Sequence, residues 1–183
     1  MNSYRIGVVV GSLRKDSYNR ALAHALSGLA PAGYTFEHLE IGDLPLYNQD
    51  DDDQQADSVK RLKNAIRAAD GLVFVTPEYN RSIPGVLKNA LDHASRPYGE
   101  SAWLGKPAGI LGVSVGTIGT AIAQQHLRTI LAYLDMPTLG QPEVFLQAGS
   151  GLFDESGGIG VESRQFLQSW MDRYVAWMQR CVA

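Results

Sequence analysis

Three stretches of the chain are apolar without interruption: Ile6-Gly7-Val8-Val9-Val10, Gly71-Leu72-Val73-Phe74-Val75 and Ala108-Gly109-Ile110-Leu111-Gly112-Val113. A strand with one wet face alternates in polarity, whereas a strand covered on both faces need not. The three runs therefore predict the central strands of a parallel sheet lying between helices. Tyr34 to Ile41 is shorter and more alternating, as suits an edge strand, and Thr138 to Leu146 is a fifth candidate. Between these runs the apolar period lengthens to that of a helix. Leu22, Ala25, Leu26 and Leu29 fall at i, i+3, i+4 and i+7; Leu87, Ala90, Leu91 and Ala94 repeat the spacing, as do Leu127, Ile130, Leu131 and Leu134. Val59, Leu62, Ile66 and Ala69 line another helix, and Leu167, Trp170, Met171 and Tyr174 the last. Strand followed by helix, five times over, predicts an α/β doubly wound open sheet with right-handed crossovers. The Gly-rich stretch Gly149 to Gly160 reads as one surface loop before the final helix.

Composition narrows the class without changing the fold. With 183 residues, 45% hydrophobic and 19% charged, the expectation is one domain over 1–183 with a well-filled core. A net charge of −3 carries no footprint for nucleic acid or an anionic membrane. The single cysteine, Cys181, excludes an internal disulfide and a multi-cysteine metal site. The apolar run at Ile6 is too short for a signal peptide or a membrane span, so the expected setting is cytoplasmic and reducing.

Open α/β sheets bind ligands beyond the carboxyl ends of their strands, where the strand order reverses. Taking the order as 2-1-3-4-5 puts that point between strands 1 and 3. The two loops richest in special residues follow those strands: Gly11 to Arg20 and Thr76 to Gly85. The first ends at a helix N-terminus, where free N–H groups and the helix dipole favour an anion. Ser12 and Ser17 can donate hydroxyls, Asn19 an amide and Arg14 a planar, permanently charged fork. Convergence of these groups on one helix end predicts a phosphate cradle; Ser17 also suits a helix cap. No G-x-G-x-x-G follows strand 1, and no G-x-x-x-x-G-K-[ST] occurs anywhere, so neither a dinucleotide fingerprint nor a P-loop is present. A cysteine-based phosphatase is excluded too, because Cys181 lies far from the loop.

Gly11-Ser12-Leu13-Arg14 with Ser17 and Asn19 resembles the phosphate loop of the NADPH-dependent FMN reductases. Pro77-Glu78-Tyr79-Asn80, Ser82, Pro84-Gly85, Leu87-Lys88-Asn89-Ala90 and Asp92 resemble that family's second signature, most closely in its chromate and quinone reductase branch. The likeness runs from strand 1 to about Glu143. It implies a flavodoxin-like fold, non-covalent FMN, and dimers or tetramers. It also implies electron transfer from NADPH or NADH to quinones, free flavins, azo dyes or metal oxyanions such as chromate. By the same resemblance Arg14, Ser17, Tyr18, Asn19 and Arg20 belong to the segment that wraps the FMN phosphate. Glu78, Tyr79, Asn80 and Arg81 run along the isoalloxazine, and Ser114 matches a flavin-contacting position in the loop after strand 4. Beside them, Pro77 stiffens the ring-side loop, and Gly116 with Gly119 would let the backbone approach the ring closely, so Pro77 and Gly116 join the cofactor-binding set. Two positions depart from the pattern: Arg81 stands where some relatives carry an aromatic residue, and His93 where relatives often carry Trp.

The physical reading beside this leaves alternatives. Tyr79 lies against the flavin or the substrate, or packs as a loop tyrosine; Asn80 meets the ring edge or makes a turn; Glu78 serves the site, a helix-side salt bridge, or is a solvated carboxylate. Asp50 to Asp53 read as a polar loop leading into a helix, His126 as a surface or interface residue, His93 as a packing residue, and Lys88 with Asp92 as a surface pair. Trp170 and Trp177 read as core or interface aromatics. Ile122, Ile130 and Leu134 exceed what one sheet face covers, which predicts at least a homodimer. No side chain is singled out as catalytic and no metal site is expected, because a flavin carries the hydride chemistry itself. The competing class is a non-enzymatic flavodoxin-type electron carrier or FMN-binding regulatory module. Such carriers surround the flavin with acids, whereas these loops hold Arg14, Lys15, Arg20 and Arg81 against Asp16 and Glu78. A receiver domain would need an acidic pair after strand 1, which is missing. The balance favours an NAD(P)H oxidoreductase.

Overall fold

The computed structural model describes residues 3–149 and 151–183. Five parallel strands, β1 (Tyr4–Val10), β2 (Tyr34–His38), β3 (Gly71–Val75), β4 (Ala108–Ser114) and β5 (Phe145–Gln147), stand in the order β2-β1-β3-β4-β5. Four helices fill the crossovers, α1 (Tyr18–Leu26), α2 (Asp57–Ala68), α3 (Gly85–Ala94) and α4 (Ala121–Tyr133), and α5 (Val161–Val182) follows β5. This is the flavodoxin-like α/β arrangement expected from the sequence.

The unbroken apolar runs work because successive strand side chains point to opposite faces. Val9, Leu72, Phe74 and Ile110 go to one side, under Leu62 and Ile66 of α2, Leu87 and Leu91 of α3, and Leu127 and Leu131 of α4. Ile6, Val8, Val73, Val75, Leu111 and Val113 go to the other, under α1 and α5. Both layers are dry, and each fully buried Leu, Ile or Phe contributes roughly 1.5–3 kcal/mol of transfer free energy. Gly109 permits close approach of α5: an added Cβ would come 2.8 Å from ring carbons of both Trp170 and Tyr174. Those two rings stack with centroids 5.4 Å apart. The Tyr174 hydroxyl donates to the Leu72 carbonyl at 3.1 Å, and burial pushes its pKa far above the ordinary phenol value.

The fifth strand is shorter than its sequence suggests. Thr138 makes one isolated bridge to Ala108, and the ladder resumes only at Phe145. Pro142 has no N–H to give and Gly140 no side chain to pack, so the predicted Thr138–Leu146 strand is split around them. Within the Gly149–Gly160 stretch, Ser150 lies outside the described residues. Part of the remainder is a tight turn in which Phe153 bridges Ile159 and the Asp154 carboxylate accepts from the Ser156 and Gly158 N–H groups. Among the described residues no helix is long and apolar enough to cross a membrane.

Candidate active site

The sheet brings the two singled-out loops together. Val10 is in register with Val75, and Val75 with Leu111. The Gly11 N–H donates to Val75 O at 2.9 Å and the Thr76 N–H to Leu111 O at 3.1 Å, so the chain leaves β1, β3 and β4 side by side. The reversal of strand order falls between β1 and β3, and the cleft it opens lies between the loops after them.

The first loop runs into α1 at Ser17, whose Oγ accepts from the Arg20 N–H at 3.3 Å and caps the helix. The Tyr18 and Asn19 N–H groups stay open among the described residues, which leaves the helix end free for an anion. Ser12 is buried and its Oγ accepts from the Arg14 N–H at 3.4 Å. The Arg14 guanidinium lies over the Tyr18 ring, 5.5 Å from its centroid. That contact is worth about 0.5–1 kcal/mol at an exposed site and ties the long side chain to the first residue of α1.

One side chain of this loop faces elsewhere. Asn19 was expected to offer its amide to the anion. It is buried instead, donating from Nδ2 to Val113 O at 2.8 Å and accepting at Oδ1 from Val113 N–H at 3.0 Å. β4 continues past the end of β3, so at Val113 its inner edge has no neighbouring strand. The carboxamide takes that neighbour's place and satisfies both backbone groups. Asn19 borders the cradle only through its main chain. Arg20 lies on the β2 side of the loop, where a cavity of about 240 Å³ is lined by Ser12, Leu13, Arg20, His24, His38 and Glu40. There the His24 and His38 rings stack at 4.1 Å. Burial, then His24 and Arg20, lower the His38 pKa.

The second loop contains a device the sequence did not disclose. Tyr79 and Ser82 exchange both backbone hydrogen bonds at 3.0 Å, while Asn80 and Arg81 have φ of 52° and 65°. This is a two-residue hairpin with both central residues left-handed, a conformation that favours Asn and Gly. An arginine there costs on the order of 1 kcal/mol. Of the alternatives for Asn80, the turn is what the backbone makes. The hairpin is fixed to α4 at two points. Glu78 Oε2 accepts from the Ile122 and Ala123 N–H groups at 3.0 and 3.1 Å. Ser82 Oγ and His126 Nδ1 lie 3.0 Å apart. Thr120 precedes α4 but does not cap it; its hydroxyl accepts from the Gln124 amide instead. The free N–H groups of α4 thus find their acceptor 44 residues upstream, on Glu78. Its carboxylate, with the side chain only 9% exposed, serves the scaffold rather than facing a ring. Pro84 starts α3, its carbonyl accepting from the Leu87 and Lys88 N–H groups.

The loop after β4 closes the third side. The Ser114 carbonyl accepts from Ala148 N–H at 2.7 Å and its Oγ from Gly116 N–H at 3.1 Å. A Cβ on Gly116 would meet nothing closer than Ser114 Oγ at 3.7 Å. Exposed apolar side chains occur in all three loops: Leu13, Tyr18, Tyr79, Val115 and Ile118. Open N–H groups with Arg14 suit a phosphate monoester, and an apolar mouth beside them suits a flat aromatic ring. FMN joins those two parts in one molecule, so the donor set fits it.

The remaining candidates are structural. His93 is buried with Nε2 2.9 Å from Pro45 O, Lys88 pairs with Asp92 at 2.8 Å, and Asp50 to Asp53 form a polar 3-10 turn before α2. Trp170 is in the core, and Trp177 packs half-buried beside it. Ile122, Ile130 and Leu134 are half-buried rather than exposed.

Comparison with known proteins shows the family. Residues 4–151 match the model of the NADPH-dependent FMN reductase family. A 2-hydroxy-1,4-benzoquinone reductase from a Burkholderia species is 54% identical over 176 residues, covering 96% of both chains. A quinone reductase from Pseudomonas putida is 50% identical over 177 residues, covering 96% of this chain and 95% of its own. The solved structure of FerB, a flavoenzyme NAD(P)H:(acceptor) oxidoreductase from Paracoccus denitrificans, superposes with a TM-score of 0.92 at 42% identity, covering 97% of this chain and 98% of that one. The chain thus belongs to the NADPH-dependent FMN reductase family, whose members are FMN-using, NAD(P)H-dependent oxidoreductases.

Proposed function

We propose that the chain is a quinone reductase that takes electrons from NADPH or NADH and delivers them in pairs to a quinone in a ping-pong cycle. The balance is NAD(P)H + H⁺ + quinone → NAD(P)⁺ + hydroquinone. The observation that carries this reading is the strand-order reversal between β1 and β3, which sets a helix start with Arg14 beside loops that expose Leu13, Tyr79, Val115 and Ile118. Bound there, FMN supplies a centre that accepts and returns a hydride. The protein's part is to grip and to orient. Ser12, Arg14, Ser17 and the Tyr18 and Asn19 N–H groups hold the phosphate. Pro77, Tyr79, Asn80, Ser114 and Gly116 frame the ring, and Glu78 holds their loop in place. One opening then receives the dinucleotide and the quinone in turn. Flat acceptors such as free flavin and azo dyes fit the same mouth, and the cationic balance of the loops suits chromate as well. The relatives whose names specify quinones support the choice of acceptor. The expected setting is the cytoplasm, with its NAD(P)H.

The test is anaerobic. Purified yellow protein given NADPH is expected to bleach within seconds and regain its colour on adding 1,4-benzoquinone. A colourless protein that takes up no FMN would end the proposal, and bleaching with no return on quinone would remove the acceptor.

Self-association belongs to the same reading. Tyr98, Leu104 and Tyr133 stand 87%, 62% and 81% exposed. They line a hollow with Leu134. We expect light scattering to give a dimer or tetramer at micromolar concentration; a monomer at every concentration would contradict it.

A further inference from the structure

We propose that Arg81 recognises a phosphate group of the nicotinamide dinucleotide and so helps set which dinucleotide the enzyme uses. This rests on the reading of the chain as an NAD(P)H-dependent reductase. Three observations lead to it. Arg81 occupies the second central position of the Tyr79–Ser82 hairpin with φ of 65°, a place where glycine is favoured and a long side chain is strained. The side chain gives little stability in return. It is 64% exposed, and among the described residues its one partner is Glu78 at 3.5 Å. Glu78 already has both α4 N–H groups on its other oxygen, and exposed pairs of this length contribute little. A strained residue that the fold does not need is kept for what its side chain can reach.

What it can reach follows from its position. The hairpin belongs to the loop after β3, beside the strand-order reversal, so its exposed tip is accessible to a dinucleotide that reaches out from that end of the sheet. The cradle is already assigned to the cofactor's own phosphate. A second anion therefore needs a second cation on the rim, and Arg81 is the cation of the ring-side loop. A guanidinium is always charged and offers a fork matched to phosphate oxygens. With Glu78 turned to α4, most of that fork is open to solvent. The anion has two sources within one dinucleotide, the 2′-phosphate of NADPH and the pyrophosphate that NADPH and NADH share.

The experiment is steady-state kinetics of the holoenzyme with 1,4-benzoquinone and each dinucleotide, for wild type, Arg81→Gly, Arg81→Asn and Arg81→Lys. Gly and Asn suit the left-handed backbone, so both are expected to fold with a melting temperature at or above wild type. The expected result is a roughly tenfold rise in KM for the dinucleotide with kcat kept, and partial recovery in Arg81→Lys. A rise confined to NADPH identifies the 2′-phosphate; an equal rise for both identifies the pyrophosphate. Unchanged KM for both dinucleotides overturns the proposal. A KM rise that comes with lost FMN or a lowered melting temperature also overturns it, since Arg81 would then be part of the scaffold. So does an altered oligomeric state at unchanged KM, which assigns Arg81 to a subunit interface. A wild-type protein that oxidises neither dinucleotide would instead defeat the functional reading itself.

Discussion

Replacing Arg14 with alanine is expected to weaken FMN binding well over tenfold while leaving the apoprotein's melting temperature unchanged. The side chain is exposed and its visible contact is the Tyr18 ring, so the fold loses little without it. The bound phosphate loses much more. Charge-assisted hydrogen bonds contribute roughly 1.5–3 kcal/mol each, and every 1.4 kcal/mol or so is a factor of ten in Kd. Titration of apoprotein with FMN, followed by quenching of flavin fluorescence, measures the change directly. Arg14→Lys should recover part of the affinity, keeping the charge but losing the planar fork. Affinity unchanged in Arg14→Ala would remove the residue from the cradle.

The second large effect is expected at Glu78, for a different reason. Its carboxylate accepts both N–H groups that begin α4, and no local residue can replace it because Thr120 is engaged with Gln124. Glu78→Ala leaves two N–H groups without an acceptor and frees the hairpin from the helix. A loss of about 2 kcal/mol is expected, which is roughly 4–8 °C in melting temperature for a chain of this size. FMN affinity should fall as well, although the carboxylate touches no part of the cradle. Glu78→Gln retains an acceptor oxygen and should lose less than half as much. Calorimetry of the two variants decides the matter. A Glu78→Ala protein that melts like wild type would show that the α4 cap is dispensable.

These residues also show how far the sequence could be read. The layers and the positions of both loops follow from periodicity, because the runs in β1, β3 and β4 are apolar on both faces; the strand order does not, and the assumed 2-1-3-4-5 is what the structure shows. The Thr138–Leu146 segment misled because a parallel edge strand is short and its apolar residues tolerate an interruption that Pro142 imposes. Ser17 was legible as a cap since its partner, Arg20, lies three residues away. Asn19 and Glu78 were not, because their partners lie 94 and 44 residues along the chain and no local pattern announces them. Both are polar residues that proved to be buried or nearly so, and each satisfies backbone groups that the ends of regular elements leave open. The hairpin was hidden for another reason. Asn-Gly would have signalled it, but Asn-Arg does not.

The Asn19 carboxamide has one more consequence. By standing in for a strand beside Val113, it locks the start of α1 to the end of β4. In the function proposed above, the phosphate is gripped at the first of these and the ring lies along Ser114 and Gly116 beyond the second. The span between the two is then set by a pair of bonds inside the sheet layer, so the cradle and the ring wall would act as a ruler for the length of the ligand.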